Sequence, residues 1–136
     1  NDMIKSPDVR HVVMDAVASY RTDTLPLMML AHPEAEVYKK EAKKYSLPLI
    51  FEAFVDRRYT ESGELVSRNQ PGAVLSEFQA IQQAIRIMDE GSVLTSGNEV
   101  LQLKADTLCV HGDSAGAVNM AKVLRQELNQ RKGASA

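Results

Sequence analysis

Asp106-Thr-Leu-Cys-Val-His-Gly-Asp-Ser-Ala-Gly-Ala-Val118 is the stretch that decides how the rest of the chain is read. Thr107 to Val110 is a short apolar strand that stops at His111-Gly112-Asp113, and a helix is expected to follow, ending near Asn129. Polar residues at the carboxyl end of a buried strand, just before a helix, lie where open α/β sheets and (β/α) barrels bind ligands. Here an imidazole, a glycine and a carboxylate fall within three positions. The same residues also read as a plain βα turn, with Gly112 supplying the bend and Asp113 or Ser114 capping the helix. The local sequence leaves both readings open.

Two apolar runs precede this stretch. Leu25 to Leu30 has no polar alternation, the pattern of a strand buried on both faces of a parallel sheet. Pro48 to Val55 alternates instead: Leu49, Phe51, Ala53 and Val55 share one face, and Ile50, Glu52, Phe54 and Asp56 share the other. Glu52 is the informative residue, because a carboxylate in a core strand must be paired, hydrated or functional. An internal salt bridge to an arginine and a contact with substrate both account for it. Asp56 closes the same face, and Arg57, Arg58 and Tyr59 follow.

Helices fill the spaces between. Ser6-Pro7-Asp8 is a helix start, and Val9, Val12, Val13, Ala16, Val17 and Tyr20 make its apolar stripe. Arg21 to Thr24 reads as a polar turn. His32-Pro33-Glu34 opens the next helix, with Val37, Tyr38, Ala42 and Tyr45 inward and a lysine-rich outer face. His32 follows a strand end and is read as a helix-start residue before a rim residue. After Asp56 comes a long polar excursion, with a hairpin turn around Gly63 and a second turn at Asn69-Gln-Pro-Gly72. Long loops on a rigid α/β scaffold often cover a site. Ser76 and Gln79 form a capping box ahead of an inner stripe of Phe78, Ile81, Ile85 and Met88, and Gly91 ends that helix. Val93 to Leu103 is a small hairpin. The last helix presents Ala117, Ala121, Leu124 and Leu128 on one face, and Arg131 to Ala136 reads as a frayed tail.

Strands alternating with helices mean a parallel α/β sheet. Residues 1–136 read as a single domain, yet three convincing strands are few for a self-sufficient doubly wound fold. The chain also opens on a helix with no strand before it, so it reads as the second half of something.

Composition narrows the function classes. The 136 residues are 44% apolar and 25% charged, with a net charge of −2, ordinary values for a globular domain. No basic block is present, which argues against a nucleic-acid surface, and no apolar run is long enough to cross a bilayer. The single cysteine, Cys109, is read as a buried thiol and not as a nucleophile; it fits a reducing cytoplasm.

Glu52-Ala-Phe-Val-Asp-Arg-Arg-Tyr-Thr60, Leu65-Val-Ser-Arg68, Gln70-Pro-Gly-Ala-Val74 and Thr107-Leu-Cys-Val-His-Gly-Asp-Ser114 carry a resemblance. In this order and spacing they resemble the LamB/YcsF family, whose bacterial members include the A subunit of the ATP-dependent 5-oxoprolinase. The resemblance covers essentially the whole chain. It implies the C-terminal half of a (β/α) barrel of the glycoside hydrolase/deacetylase type, with the first half of the family's barrel absent. It also implies cleavage of 5-oxoproline (pyroglutamate) to glutamate, coupled to ATP hydrolysis, with the other 5-oxoprolinase subunits as partners.

The family match and the strand-end argument mark the same segments. Asp56 and His111 are the candidates for proton transfer, since opening a lactam needs an acid for the leaving nitrogen and a base for the attacking group. Arg57 or Arg68 is a candidate for holding the substrate carboxylate or neutralising a phosphorylated intermediate. Glu52 and Asp113 are expected to orient these groups from behind.

Two alternatives compete. One is a metal-dependent, deacetylase-like hydrolase, for which His111 and Asp113 have ligand chemistry but are too few. The other is a non-catalytic fragment that pairs its open strand edges with the missing half or with another copy. The sequence has no Gly-x-x-x-x-Gly-Lys-Ser/Thr loop, so ATP would bind through other residues or through a partner.

Overall fold

A computed structural model of the chain describes residues 1–20 and 25–134, with side chains described as far as Arg131. The turn expected at 21–24 and the last two residues of the expected tail lie outside this range. In chain order the elements are α1 (Asp2–Lys5), α2 (Pro7–Tyr20), β1 (Leu27–Leu30), α3 (Ala35–Lys43), β2 (Leu49–Phe54), α4 (Glu77–Glu90), β3 (Ser92–Leu94), β4 (Val100–Gln102), β5 (Thr107–Cys109) and α5 (Ala117–Ala134). β1, β2 and β5 form a parallel sheet in the order β1-β2-β5, and β3 and β4 form a separate antiparallel hairpin. The α/β class with a parallel sheet therefore holds.

The sheet is covered on one side. Strand register places Met29 beside Phe51 and Ala53 beside Leu108, and this face packs into a core with Met14 of α2 and Ala35, Tyr38 and Ala42 of α3. The opposite face carries Met28, Ile50, Glu52, Phe54, Thr107 and Cys109, none of which is buried. The reading of Leu25–Leu30 as a strand buried on both faces is corrected here: Met28 is 49% exposed. The covered face gains from burial at roughly 25 cal/mol per Å² of apolar surface.

Helix starts and stops follow the expected chemistry. The Ser6 hydroxyl accepts the Val9 N–H at 3.3 Å, so α2 begins where Ser-Pro-Asp predicts. Ser76 and Gln79 form a complete capping box on α4, and Gly91 ends that helix with its N–H on the Ile87 carbonyl. The last helix is longer than expected: it runs to Ala134, and Arg131 is bonded to Asp89 at 2.7 Å, so the tail is not frayed from that residue.

The buried faces of the helices differ from the apolar stripes. In α2 the buried residues are Arg10 and Met14, while Val12 is 68% and Tyr20 91% exposed. Arg10 goes inward because its guanidinium meets Glu41 at 2.6 and 3.1 Å and lies 4.6 Å above the Tyr38 ring. A paired arginine outcompetes a valine for that position. On α3, Val37 is 48% exposed. On α4 the inward residues are Ala80, Gln83, Ala84 and Ile87, and Phe78 is 72% exposed. Small alanines let α4 approach Val55 and Leu124 closely. On α5 Met120 and Leu124 are buried, whereas Ala121 is exposed.

The excursion of residues 57–75 folds back over the carboxyl end of the sheet. Arg57 bridges Val74 and Tyr59 bridges Leu65, both antiparallel. Its hairpin closes as expected, with the Gly63 N–H on the Thr60 carbonyl at 3.0 Å and the Thr60 N–H on the Glu64 carbonyl at 2.8 Å.

Candidate active site

Phe54 and Cys109 are register partners in neighbouring parallel strands. Two residues beyond each of these strand ends come Asp56 and His111, side by side at the carboxyl rim, Asp56 buried and His111 partly exposed. The Val55 N–H reaches the Cys109 carbonyl at 3.0 Å and carries the ladder to that point. Beyond it, side chains take over from the ladder. The Gln83 amide nitrogen lies 2.9, 3.1 and 2.8 Å from the carbonyls of Phe54, Val55 and Arg57. The Tyr59 hydroxyl accepts the Phe54 N–H at 2.9 Å. These contacts fix the backbone that presents Asp56.

Asp56 is fully buried and has three donors around it. Oδ1 accepts from His111 Nδ1 at 2.8 Å, and Oδ2 accepts the His111 backbone N–H at 3.2 Å and the Ser114 hydroxyl. Burial pushes its carboxyl up, but the hydrogen bonds from Ser114 and His111 outweigh it and hold the group below the usual aspartate range. An ionised carboxylate only accepts, so Nδ1 of His111 carries a proton and, in the neutral ring, Nε2 presents a lone pair. The imidazole is 23% exposed and lies nearly parallel to the Phe54 ring, at 5.0 Å between centroids and 22° between planes. The result is an oriented base with one open nitrogen.

The other site residues fall into different places. Arg57 is 7% exposed and donates from Nη2 to the Val66 carbonyl at 2.7 Å, so it braces the excursion from inside. Arg68 and Asp113 form an exposed ion pair at 3.1 Å in front of the rim. Glu52 has no arginine partner among the described residues, which corrects the internal salt-bridge reading. Its partner is the Cys109 thiol. Burial, and then the charge and hydrogen bond of Glu52, push that thiol up to about 11. Glu52→Gln is expected to bring the thiolate titration of this single cysteine down toward its ordinary value. Thiolate absorbance against pH reads this directly, and an unmoved midpoint would assign the shift to burial alone.

Two expectations about the turn are corrected. Neither Asp113 nor Ser114 caps the last helix, because the first pairs with Arg68, the second donates to Asp56, and α5 starts only at Ala117. The glycine that the turn requires is Gly116, at φ +77, whereas a Cβ at Gly112 would meet nothing within 4 Å.

Sequence reasoning missed Ser114, Phe54 and Gln83 as parts of the site, and it ranked a rim role for His32 below that of a helix-start residue. His32 is 5% exposed at the end of β1, with Nε2 2.8 Å from the Ser62 carbonyl and Nδ1 accepting the Glu34 N–H at 3.1 Å. It ties the hairpin of the excursion to the rim. Its position directly after an apolar strand was the available signal. Among the described residues no group of three or more His, Cys, Asp or Glu side chains is placed to hold a metal ion. The donors with ligand chemistry are committed elsewhere, His111 to Asp56 and Asp113 to Arg68.

A parallel sheet with helices on one side defines an α/β protein, and the aspartate-oriented histidine at the carboxyl ends of its strands is its candidate site. The sequence profile of the LamB/YcsF family matches residues 1–136. The chain belongs to the LamB/YcsF family. It is 42% identical over 131 residues to the 5-oxoprolinase A subunit of Vibrio cholerae, covering 96% of this chain and 52% of that protein. The 5-oxoprolinase A subunit of Pseudomonas fluorescens is 42% identical over 134 residues. Among solved structures, a lactam utilization protein from Thermus thermophilus aligns with a TM-score of 0.76 at 31% identity, over 96% of this chain and 51% of that one. The chain thus spans about half the length of the curated relatives it matches.

Proposed function

We propose that this chain is the C-terminal half of the (β/α)-barrel A subunit of 5-oxoprolinase, and that its strand rim opens the cyclic amide of 5-oxoproline to give glutamate. The observation that carries the reading is the buried Asp56 holding His111 with one ring nitrogen open. The half-barrel part rests on the open, unburied sheet face and on the half-length match to the relatives.

Opening a lactam adds water across the C–N bond. His111 Nε2 takes a proton from the attacking water as its oxygen bonds to the carbonyl carbon. The imidazolium then gives that proton to the ring nitrogen as the C–N bond breaks. Asp56 is too buried to touch substrate. It holds the tautomer and stabilises the imidazolium that forms between the two steps. Arg68, the exposed arginine at the rim, is assigned to the substrate carboxylate in place of Arg57, which is buried and holds the Val66 carbonyl through Nη2. Asp113 holds Arg68 in place until substrate arrives. ATP coupling belongs to the reading through the family. The residues described offer no phosphate loop, so the nucleotide would be held by other residues, by the rest of the barrel or by a partner subunit, and no step is drawn through it.

The test is His111→Ala in the assembled enzyme with its partner subunits. Turnover is expected to fall about 10²–10⁴-fold with the melting temperature little changed. Near wild-type turnover would reject the assignment.

A further inference from the structure

Beside the rim, on the open face of the sheet, lies a pocket of about 250 Å³ that the dyad does not use. Its walls include the apolar side chains of Met28, Leu30, Phe54 and Leu65 and the carboxylates of Asp2 and Glu52. Phe54 belongs to both places, since its ring also stacks on His111. The pocket and the imidazole are therefore neighbours. The volume lies below the roughly 300–1,000 Å³ of pockets for drug-sized ligands, so it suits one small ring.

The charge of the pocket is what selects its occupant. Its charged side chains are two carboxylates, with no lysine, arginine or histidine among them, and the amino-terminal residue Asn1 also lines it. An anion is repelled there, so the carboxylate of 5-oxoproline points outward, toward Arg68. An N–H donor or an ammonium is attracted. Glu52 is half-buried, and its only partner among the described residues is the weakly donating Cys109 thiol, which leaves acceptor capacity on a charged group.

We infer that this pocket is the subsite for the nitrogen end of the cyclic amide, with Glu52 accepting the ring N–H and Phe54, Met28 and Leu65 packing the ring carbons. This inference rests on the reading of the rim as a lactam-opening site and adds a determinant of specificity to it. The contact strengthens along the reaction. The lactam nitrogen is neutral in the substrate and becomes an ammonium once the C–N bond is broken and a second proton is bound. A carboxylate partner gains charge attraction as that happens, which favours bond breaking over simple binding. It also explains how the site would refuse a lactone or an N-alkyl lactam of the same shape. Either one leaves Glu52 without its donor.

The test is a ligand-observed NMR titration of the chain with four probes: 2-pyrrolidinone, N-methyl-2-pyrrolidinone, γ-butyrolactone and pyrrolidine. The N–H lactam and pyrrolidine, which is a cation at neutral pH, are expected to bind at least about tenfold more tightly than the N-methyl lactam and the lactone. Glu52→Gln is expected to remove the advantage of pyrrolidine. Met28→Trp, a change on a half-exposed edge position that fills the pocket, is expected to abolish binding of all four. Equal affinity for the N–H and N-methyl lactams, binding unaffected by Met28→Trp, or no binding by any probe would overturn the subsite. Its failure is separable from failure of the dyad. An N–H preference together with turnover that survives His111→Ala sinks the mechanism and leaves a site for small amines and amides. Turnover lost in His111→Ala with no N–H preference sinks the subsite alone.

Discussion

If His111 is the base of the lactam opening proposed above, Asp56→Asn is expected to lower turnover of the assembled enzyme on the order of 10³–10⁴-fold, about as much as removing His111 itself. The two side chains act as a unit. An ionised carboxylate can only accept, so it dictates that Nδ1 of His111 is the protonated nitrogen. An asparagine amide can present an N–H to the ring instead, which favours the opposite tautomer and points a protonated Nε2 at the attacking water. The shape of the site survives while its chemistry is reversed. It also loses the negative charge that stabilises the imidazolium between the two proton transfers. Ser114 then donates to a neutral amide in place of a carboxylate, a weaker bond.

The same substitution has a signature in stability. The Asp56 carboxyl is held below its usual range by the bonds from Ser114 and His111, against the opposing effect of burial. A group whose folded-state pKa is depressed stabilises the fold above its unfolded-state value, near 3.9, and loses that contribution as the pH falls through the folded-state value. Chemical denaturation of the natural chain between pH 5 and the acid limit should therefore show a loss of stability below about pH 4 that is shallower in Asp56→Asn. Parallel curves would mean that the carboxylate is not held as the geometry indicates. Asp56→Ala removes the acceptor of all three donors and is expected to cost about 2–4 kcal/mol.

Gly63→Ala is expected to destabilise the fold strongly for a change of one methyl group. Gly63 sits at φ +89, and a Cβ there would lie 2.7 Å from His32 Cδ2, 2.8 Å from His32 Nε2 and 2.9 Å from Pro33 Cδ. These are ring atoms held from several sides, not the ends of flexible chains. The alanine carries a backbone penalty of about 1–2 kcal/mol at positive φ. Displacing His32 breaks its bond to the Ser62 carbonyl and leaves buried polar groups unpaired, adding about 1–3 kcal/mol. A total near 3 kcal/mol lowers the melting temperature by about 10 °C in a chain of this size. Thermal unfolding followed by circular dichroism checks it, with Gly112→Ala as the comparison. Gly112 stands beside His111 with nothing within 4 Å of a Cβ and no positive φ, so its alanine variant should melt within a degree or two of the natural chain. If both variants melt alike, the hairpin is not anchored to β1 through His32.

What could be read from the chain alone was whatever local chemistry decides. Strands at Leu27–Leu30, Leu49–Phe54 and Thr107–Cys109, the capping box at Ser76 and Gln79, the stop at Gly91 and the turn at Gly63 depend on side-chain alternation, cap hydrogen bonds and backbone freedom within a few residues. The alternation of strand and helix was enough for a parallel sheet, and the strand ends were enough to mark Asp56 and His111.

The buried faces of the helices were not legible in the same way. Arg10 is inside and Val12 outside because Glu41 and Tyr38, on a different helix, complete the arginine's bonds. Phe78 is outside because α4 meets its neighbours through alanines. Such choices are made between elements, and apolar periodicity sees only one element at a time. The roles at the rim were decided at the same level. Asp56 and His111 are 55 positions apart, and only the pairing of β2 with β5 brings them within 2.8 Å. Ser114 turned from a helix cap into a donor to Asp56, and Arg57 from a candidate substrate ligand into a brace of the loop, because each found its partner across the fold. A sequence marks which residues carry chemistry; the packing of strands and loops determines which of them face each other, and that sets what each can do.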